Sequence, residues 1–205
     1  MGDVATRITP MPKPSRPIRN EIRIIAGDWR RRKLRFPAAA GLRPTPDRVR
    51  ETLFNWLRDD IEGARCLDLF AGSGALGFEA ASRGASKVVQ VESEDTVCAA
   101  LRQSCALLSA NQVFVIQDNV RHYLTGPPEL FDVVFLDPPF RRGWLQPIGM
   151  MLENRGWLAP PALVYLESER ELRLDGLPAA WSRIRQGEAG DVAYGLYQRN
   201  AGDPS

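Results

Sequence analysis

Asp68-Leu-Phe-Ala-Gly72-Ser-Gly74-Ala-Leu-Gly77-Phe-Glu79 is the stretch on which the fold turns. Arg65–Phe70 reads as an apolar strand and Ala75–Arg83 as a helix, so Gly72, Gly74 and Gly77 form a G-x-G-x-x-G turn between the two. Glycine permits the tight turn and lets backbone approach a ligand closely, which is how such a unit holds a nucleotide-like molecule. Glu92 ends the next predicted strand, where a carboxylate binds both hydroxyls of a ribose.

Outward from that unit, strands and helices alternate. Lys87–Glu92, Val113–Gln117, Phe131–Leu136 and Ala162–Glu167 read as strands, and Asp95–Ser109 and Trp144–Asn154 as helices. Nearly continuous apolar strands separated by helices predict a doubly wound α/β fold, its mostly parallel sheet covered on both faces. Trp181–Gln186 and Val192–Arg199 are two further strands without a long helix between them. Ahead of the glycine loop, Arg48–Leu57 puts Val49, Leu53, Phe54 and Leu57 on one helical face, with Thr45 or Asp47 placed to cap it.

The glycine motif alone does not separate a dinucleotide from S-adenosylmethionine. Asp68 does: a carboxylate at the strand's end repels a pyrophosphate but receives the ammonium of a methionine moiety. Asp118-Asn119 closes the strand Val113–Gln117, where an acid accepts the hydrogens of an adenine amino group. Asp118 is also placed to cap a short helix at Val120–Leu124.

The most specific signal is Phe131-Asp-Val-Val-Phe-Leu-Asp137-Pro138-Pro139-Phe140. Two prolines cannot extend a ladder, so the chain turns out stiffly at the strand's C-terminal end, where α/β sheets bind ligands. Asp137 and the Pro138 carbonyl then accept both hydrogens of an exocyclic amine, and Phe140 stacks on the base that bears it. Such an amine is a weak nucleophile, and acceptors on both hydrogens favour a lone pair aimed at a methyl donor. The residues predict an amino-directed methyltransferase, with Asp137, Pro138, Pro139 and Phe140 at its centre.

Composition agrees and excludes other chemistry. The chain has 205 residues, 44% apolar and 25% charged, the make-up of one globular domain of the cytoplasm. A lone histidine, His122, and three cysteines without paired spacing leave no metal site and a poor basis for a Ser-His-Asp hydrolase. Residues 1–50 hold 13 of the 27 basic side chains against four acids, while the rest of the chain is net negative. Residues 1–20 read as a Pro-rich, basic, disordered tail. Residues 21–41 read as a hairpin with strands Glu21–Ile25 and Arg30–Phe36 around Ala26-Gly27-Asp28, and residues 42–200 as the catalytic domain. Arg30, Arg31, Arg32, Lys33 and Arg35 beside Trp29 make a face suited to RNA.

The glycine loop together with Asp-Pro-Pro-Phe resembles the amino-directed class of S-adenosylmethionine-dependent methyltransferases. Ile22-Arg-Ile-Ile-Ala-Gly-Asp-Trp-Arg-Arg-Arg-Lys-Leu34 and Leu42-Arg-Pro-Thr-Pro-Asp-Arg-Val-Arg-Glu-Thr-Leu-Phe-Asn-Trp56 narrow the resemblance to the bacterial 16S ribosomal RNA guanine-N2 methyltransferases. It continues through Asn154–Leu158, Tyr165–Ser168 and Val192–Gln198, covering about residues 21–199. It implies a seven-stranded Rossmann-like fold, S-adenosylmethionine as cofactor, and methylation of guanine 966 in the small ribosomal subunit by a monomer. Implied cofactor contacts are Asp68, Phe70, Gly72, Gly74, Glu92, Ser93, Asp118 and Asn119, with Arg43 and Thr45 closing over the site. Arg48, Arg141 and Arg142 join the RNA contacts. Three readings stand beside it: an N6-adenine DNA or protein glutamine methyltransferase, a non-catalytic RNA-binding assembly factor, and a dinucleotide dehydrogenase.

Overall fold

The computed structural model describes residues 20–37, 45–172 and 174–200, so the predicted tail (1–20) except residue 20, the end of the predicted hairpin segment (38–41) and Arg43 lie outside them. In chain order the elements are β1 (Glu21–Arg23), β2 (Lys33–Arg35), α1 (Asp47–Trp56), β3 (Arg65–Asp68), α2 (Ala75–Ser82), β4 (Lys87–Glu92), α3 (Asp95–Leu108), β5 (Val113–Gln117), α4 (Val120–Tyr123), β6 (Phe131–Leu136), α5 (Leu145–Asn154), β7 (Leu158–Glu169), β8 (Trp181–Ala189) and β9 (Val192–Arg199).

Seven strands make one sheet in the order β5-β4-β3-β6-β7-β9-β8. β3 to β7 run parallel, and β9 is antiparallel to both β7 and β8. The period of two along each strand divides the core. Cys66, Val88, Val133 and Phe135 face one cluster with Leu53, Phe54, Phe78 and Leu101. Leu67, Val89, Val134 and Leu136 face the other, with Ile148, Leu152 and Trp157. Side chains such as Phe54 and Leu152, both 0% exposed, contribute about 1.5–3 kcal/mol each by leaving water. The three cysteines are free, with Cys66 and Cys98 buried. Among the described residues, no helix is long and apolar enough to cross a membrane.

The order reverses between β3 and β6. From β3 the chain winds outward through β4 and β5, then returns to the opposite side for β6 and β7. At such a switch point the loops leaving neighbouring strands part and open a crevice. Asp68 ends β3 there, and Asp137 follows β6.

The hairpin departs from its predicted form. Its strands shrink to β1 and β2, so Arg30, Arg31 and Arg32 lie in the connecting turn rather than in a strand. The reason is competition for backbone hydrogen bonds. Ile25 and Ala26 N–H donate to the Glu79 carboxylate, at 2.8 and 3.0 Å, instead of across the hairpin. Asp28 N–H donates to the Ser82 carbonyl and Trp29 N–H to the Ser82 hydroxyl. The hairpin is thereby pinned to α2, and Ile22, Ile24 and Leu34 join the core that packs against the seven-stranded sheet.

Capping of α1 also differs. Pro46 stands at the cap and no side chain closes it. Thr45 turns its hydroxyl to Asp137, and Asp47 accepts from Arg50 at 2.6 Å.

Candidate active site

An open cleft of about 2020 Å³ lies over the C-terminal ends of β3 to β7. Small-ligand pockets occupy roughly 300–1,000 Å³, so there is room for two occupants side by side. One half is walled by the glycine loop and the ends of β4 and β5, the other by the segment after β6 and the end of β7.

The loop half is shaped by backbone. Gly72 lines the cleft with φ +50° and Gly74 turns the chain into α2 with φ +77°. Gly74, expected as a cofactor contact, lies behind the lining: a Cβ there would stand 2.6 Å from the Phe78 ring. Its work is to bring Gly72 and the head of α2 to the cleft. Gly77 N–H donates to Asp68 Oδ2 at 3.1 Å and fixes that carboxyl under the loop. Asp68 is 2% exposed, and burial pushes it up to about 7. The Gly77 N–H pulls it down, and the negative charges of Asp137 and Glu92 add to the upward push.

Acids end β3 and β4 and follow β5 along this wall. Glu92 lines the cleft, yet both of its oxygens are engaged, Oε2 by Gly72 N–H (3.0 Å) and Oε1 by Ser93 and Glu94 N–H (2.7 and 2.9 Å). Asp118 lines it and holds His122 Nδ1 at 2.8 Å. The cap of α4 falls to Asn119, whose side chain accepts from Arg121 N–H, and not to Asp118. Phe70, Ser93 and Asn119 complete the wall. Phe70 meets Trp144 edge-on at 5.7 Å, and the Arg121 guanidinium lies 4.9 Å over the Trp144 ring.

The other half is built on the proline turn. Asp137 Oδ2 accepts from the Thr45 hydroxyl at 3.2 Å, a contact joining residues 92 apart in sequence. Burial pushes Asp137 up to about 6, moderated by the Thr45 bond. Pro138 is buried, Pro139 is exposed, and Phe140 presents its ring to the cleft at 39% exposure. Arg141 and Arg142 are exposed at the rim, and Arg141 N–H donates to Glu169. Arg48 is exposed on the first turn of α1. Arg30, Arg31, Arg32, Lys33 and Arg35 are all exposed, but apart from this cleft, at the hairpin. Lys33 and Arg35 each pair with Glu21, and Arg32 donates to the Leu107 carbonyl.

Among the lining residues that escaped the sequence reading are Trp144 and Glu167. Trp144 sits just ahead of α5 inside a predicted apolar helix face, so nothing set it apart. Glu167 is 3% exposed and accepts from the Tyr165 hydroxyl at 2.8 Å. Its signal was its place at the C-terminal end of a predicted strand, the same position that singles out Asp68, Glu92 and Asp137.

A family model described as conserved hypothetical protein 95 matches residues 22–198. The chain belongs to this family. The "Ribosomal RNA small subunit methyltransferase D" of Escherichia coli K12 is 50% identical over 191 residues, 93% of this chain and 96% of that protein. The solved structure of Escherichia coli yhhF superposes with a TM-score of 0.81 at 51% identity, covering 88% of this chain and 99% of that one. An RNA methyltransferase from Salinibacter ruber, solved with S-adenosyl-L-homocysteine, shares the fold at 16% identity, with a TM-score of 0.59 and 80% of this chain covered. In this methyltransferase family member, the seven-stranded Rossmann-like sheet and the small antiparallel hairpin are those the resemblance implies.

Proposed function

We propose that the chain methylates the N2 amine of a guanine in 16S ribosomal RNA, guanine 966, using S-adenosylmethionine. One observation carries the reading: a single cleft joins a glycine-loop cradle to an Asp-Pro-Pro-Phe turn whose half-buried aspartate accepts from the Thr45 hydroxyl. Relatives named for small-subunit ribosomal RNA methylation support the RNA class.

The donor set fits the cofactor. Carboxylates at the ends of β3 and β4 and just after β5 stand in the order that an ammonium, a ribose diol and an adenine amine require, beside a wall of bare backbone at Gly72. Asp68, Glu92 and Asp118 would hold those groups, with Phe70, Ser93 and Asn119 around them. When bound, S-adenosylmethionine supplies an electrophilic methyl on a sulfonium.

Asp137 and the Pro138 carbonyl accept the hydrogens of the target amine, and Phe140 stacks on the ring that carries it. Thr45 holds Asp137 in place, so orientation is set before the base arrives. The nitrogen gives up one proton as its new bond to carbon forms. Asp137, pushed up to about 6, is a better acceptor for that proton than an ordinary aspartate. A base inside a duplex cannot reach such a cleft, so the target is flipped out or already unpaired. The basic turn of residues 30–32 follows Asp28 and Trp29, which bond to Ser82 at the far end of α2, about 12 Å from the glycine loop for an eight-residue helix. Residues 21–41 therefore act as a grip on flanking phosphates, with Arg48, Arg141 and Arg142 nearer the target.

The test is methyl transfer from labelled S-adenosylmethionine to small subunits lacking the modification, with the product nucleoside identified by mass. N2-methylguanosine at one position is expected. Label in adenine or in a protein amide, or no label despite bound cofactor, overturns the reading.

A further inference from the structure

Glu167 has no part in the chemistry described above, yet it is built into the floor of the same cleft. In the parallel ladder Leu136 of β6 pairs with Leu166 of β7, so the residues that follow, Asp137 and Glu167, stand side by side. Neighbouring strands lie about 4.8 Å apart, close to the span from O6 to the N2 amine across one edge of a guanine. Both line the cleft. The Tyr165 hydroxyl, on the same face of β7, donates to Glu167 Oε1, and the Thr45 hydroxyl that donates to Asp137 also acts on Glu167.

A glutamate enclosed to 3% exposure needs a reason. Among the described residues Glu167 has no ion-pair partner, so it is not there to neutralise a buried cation. Burial, then the negative charge of Asp137, pushes it up to about 8. Around neutral pH it is a carboxylic acid, offering one carbonyl acceptor and one O–H donor.

We propose that Glu167 reads the target base, its carboxyl group meeting the N1–H and O6 of guanine while Asp137 and the Pro138 carbonyl meet the N2 amine. The assignment rests on the guanine reading given above and adds the residue that enforces it. Guanine presents O6, N1–H and the N2 amine in a row, and the adjacent pair Glu167 and Asp137 presents donor, acceptor and acceptor in the matching order. A purine with the 2-amino group but without O6 and N1–H keeps the contacts to Asp137 and loses the two-point contact to Glu167. Sites built on such hydrogen bonds reject the analogue that lacks them, because their own buried groups are left unpaired.

The experiment compares initial rates on small-subunit particles carrying guanine or 2-aminopurine at the target position, for wild type, Glu167→Ala, Glu167→Leu and Glu167→Gln. Wild type should prefer guanine by about 100-fold. Glu167→Gln keeps a carbonyl acceptor and an N–H donor and should retain most of that preference. Glu167→Ala should bring the two rates within about threefold of each other, through loss on guanine. Glu167→Leu, which keeps the volume should the alanine variant fail to fold, carries the same expectation. Equal loss on both bases in a folded, cofactor-binding variant overturns the assignment, as does a wild type indifferent to the two bases. A wild type that leaves guanine unmethylated overturns the guanine reading and this assignment together.

Discussion

Glu79, beneath the hairpin, and Glu167, beneath the cleft, are 0% and 3% exposed and are treated in opposite ways. Glu79 takes the N–H groups of Ile25 and Ala26, Arg83 Nε at 2.7 Å, and Arg50 Nη1 at 3.6 Å. Arg50, itself 0% exposed, also donates to the Arg23 carbonyl and to Asp47, which ties α1, α2 and the hairpin into one knot. Glu167 accepts from the Tyr165 hydroxyl and pairs with no cation among the described residues. A carboxylate enclosed for structure is saturated with donors and charge. One enclosed for function keeps capacity for a ligand, at some cost to stability.

The sharpest way to break this contrast is to remove each glutamate. Glu79→Ala strands a buried guanidinium and frees two backbone N–H groups, so unfolding in denaturant should show a loss of about 3–5 kcal/mol. Glu167→Leu strands no charge, only the buried Tyr165 hydroxyl that loses its acceptor, and should cost less, about 1–3 kcal/mol in the same measurement. Comparable losses for the two would dissolve the distinction.

Asp137→Asn is next in size. It keeps the shape and the Thr45 contact but weakens the acceptor, and turnover should fall about 10²–10³-fold with the melting temperature unchanged or raised. A fall in turnover matched by a fall in stability would place Asp137 with Glu79.

Reversing Arg30, Arg31 and Lys33 to Glu together should weaken RNA binding about 10–100-fold and flatten its salt dependence, leaving cofactor affinity intact. These exposed side chains take no part in the Glu79 knot. An equal loss of cofactor binding in calorimetry would mean the hairpin supports the cleft itself.

The smallest effect is on pH dependence. Asp68, Asp137 and Glu167 are pushed up to about 7, 6 and 8, so the folded chain holds protons that the unfolded chain has already released. Their contribution to stability is full below about pH 4 and is lost as pH rises through the folded values, so the melting temperature should fall between about pH 5 and 8.5. Glu167→Gln should flatten the upper part of that curve, and an unchanged curve would remove Glu167 from the titrating set.

The fold was largely legible because its signals are local. β4, β5, β6 and β9 begin and end where apolar runs meet Gly, Pro, Asn or charged residues. The hairpin was less legible, since a strand's hydrogen bonds can be claimed by a distant acceptor, and Glu79 lies 54 residues from Ile25. Thr45 was expected over the cofactor or as a cap, and became the support of Asp137 because the proline turn brings that carboxylate within its reach.

By itself, the amino-acid sequence determined the α/β alternation, the glycine turn and the proline turn, hence the end of the sheet at which a ligand binds. These follow from backbone freedom and hydrophobic period within about ten residues. Only the tertiary structure decided which carboxyls share a cavity, which is saturated and which left open. That depends on the parallel pairing of β6 with β7, which sets Asp137 beside Glu167, and on the docking of the hairpin and α1 against α2, which gives Glu79 its donors. Burial then multiplies the effect of each placement, because an enclosed charge responds to every neighbour that water would otherwise screen.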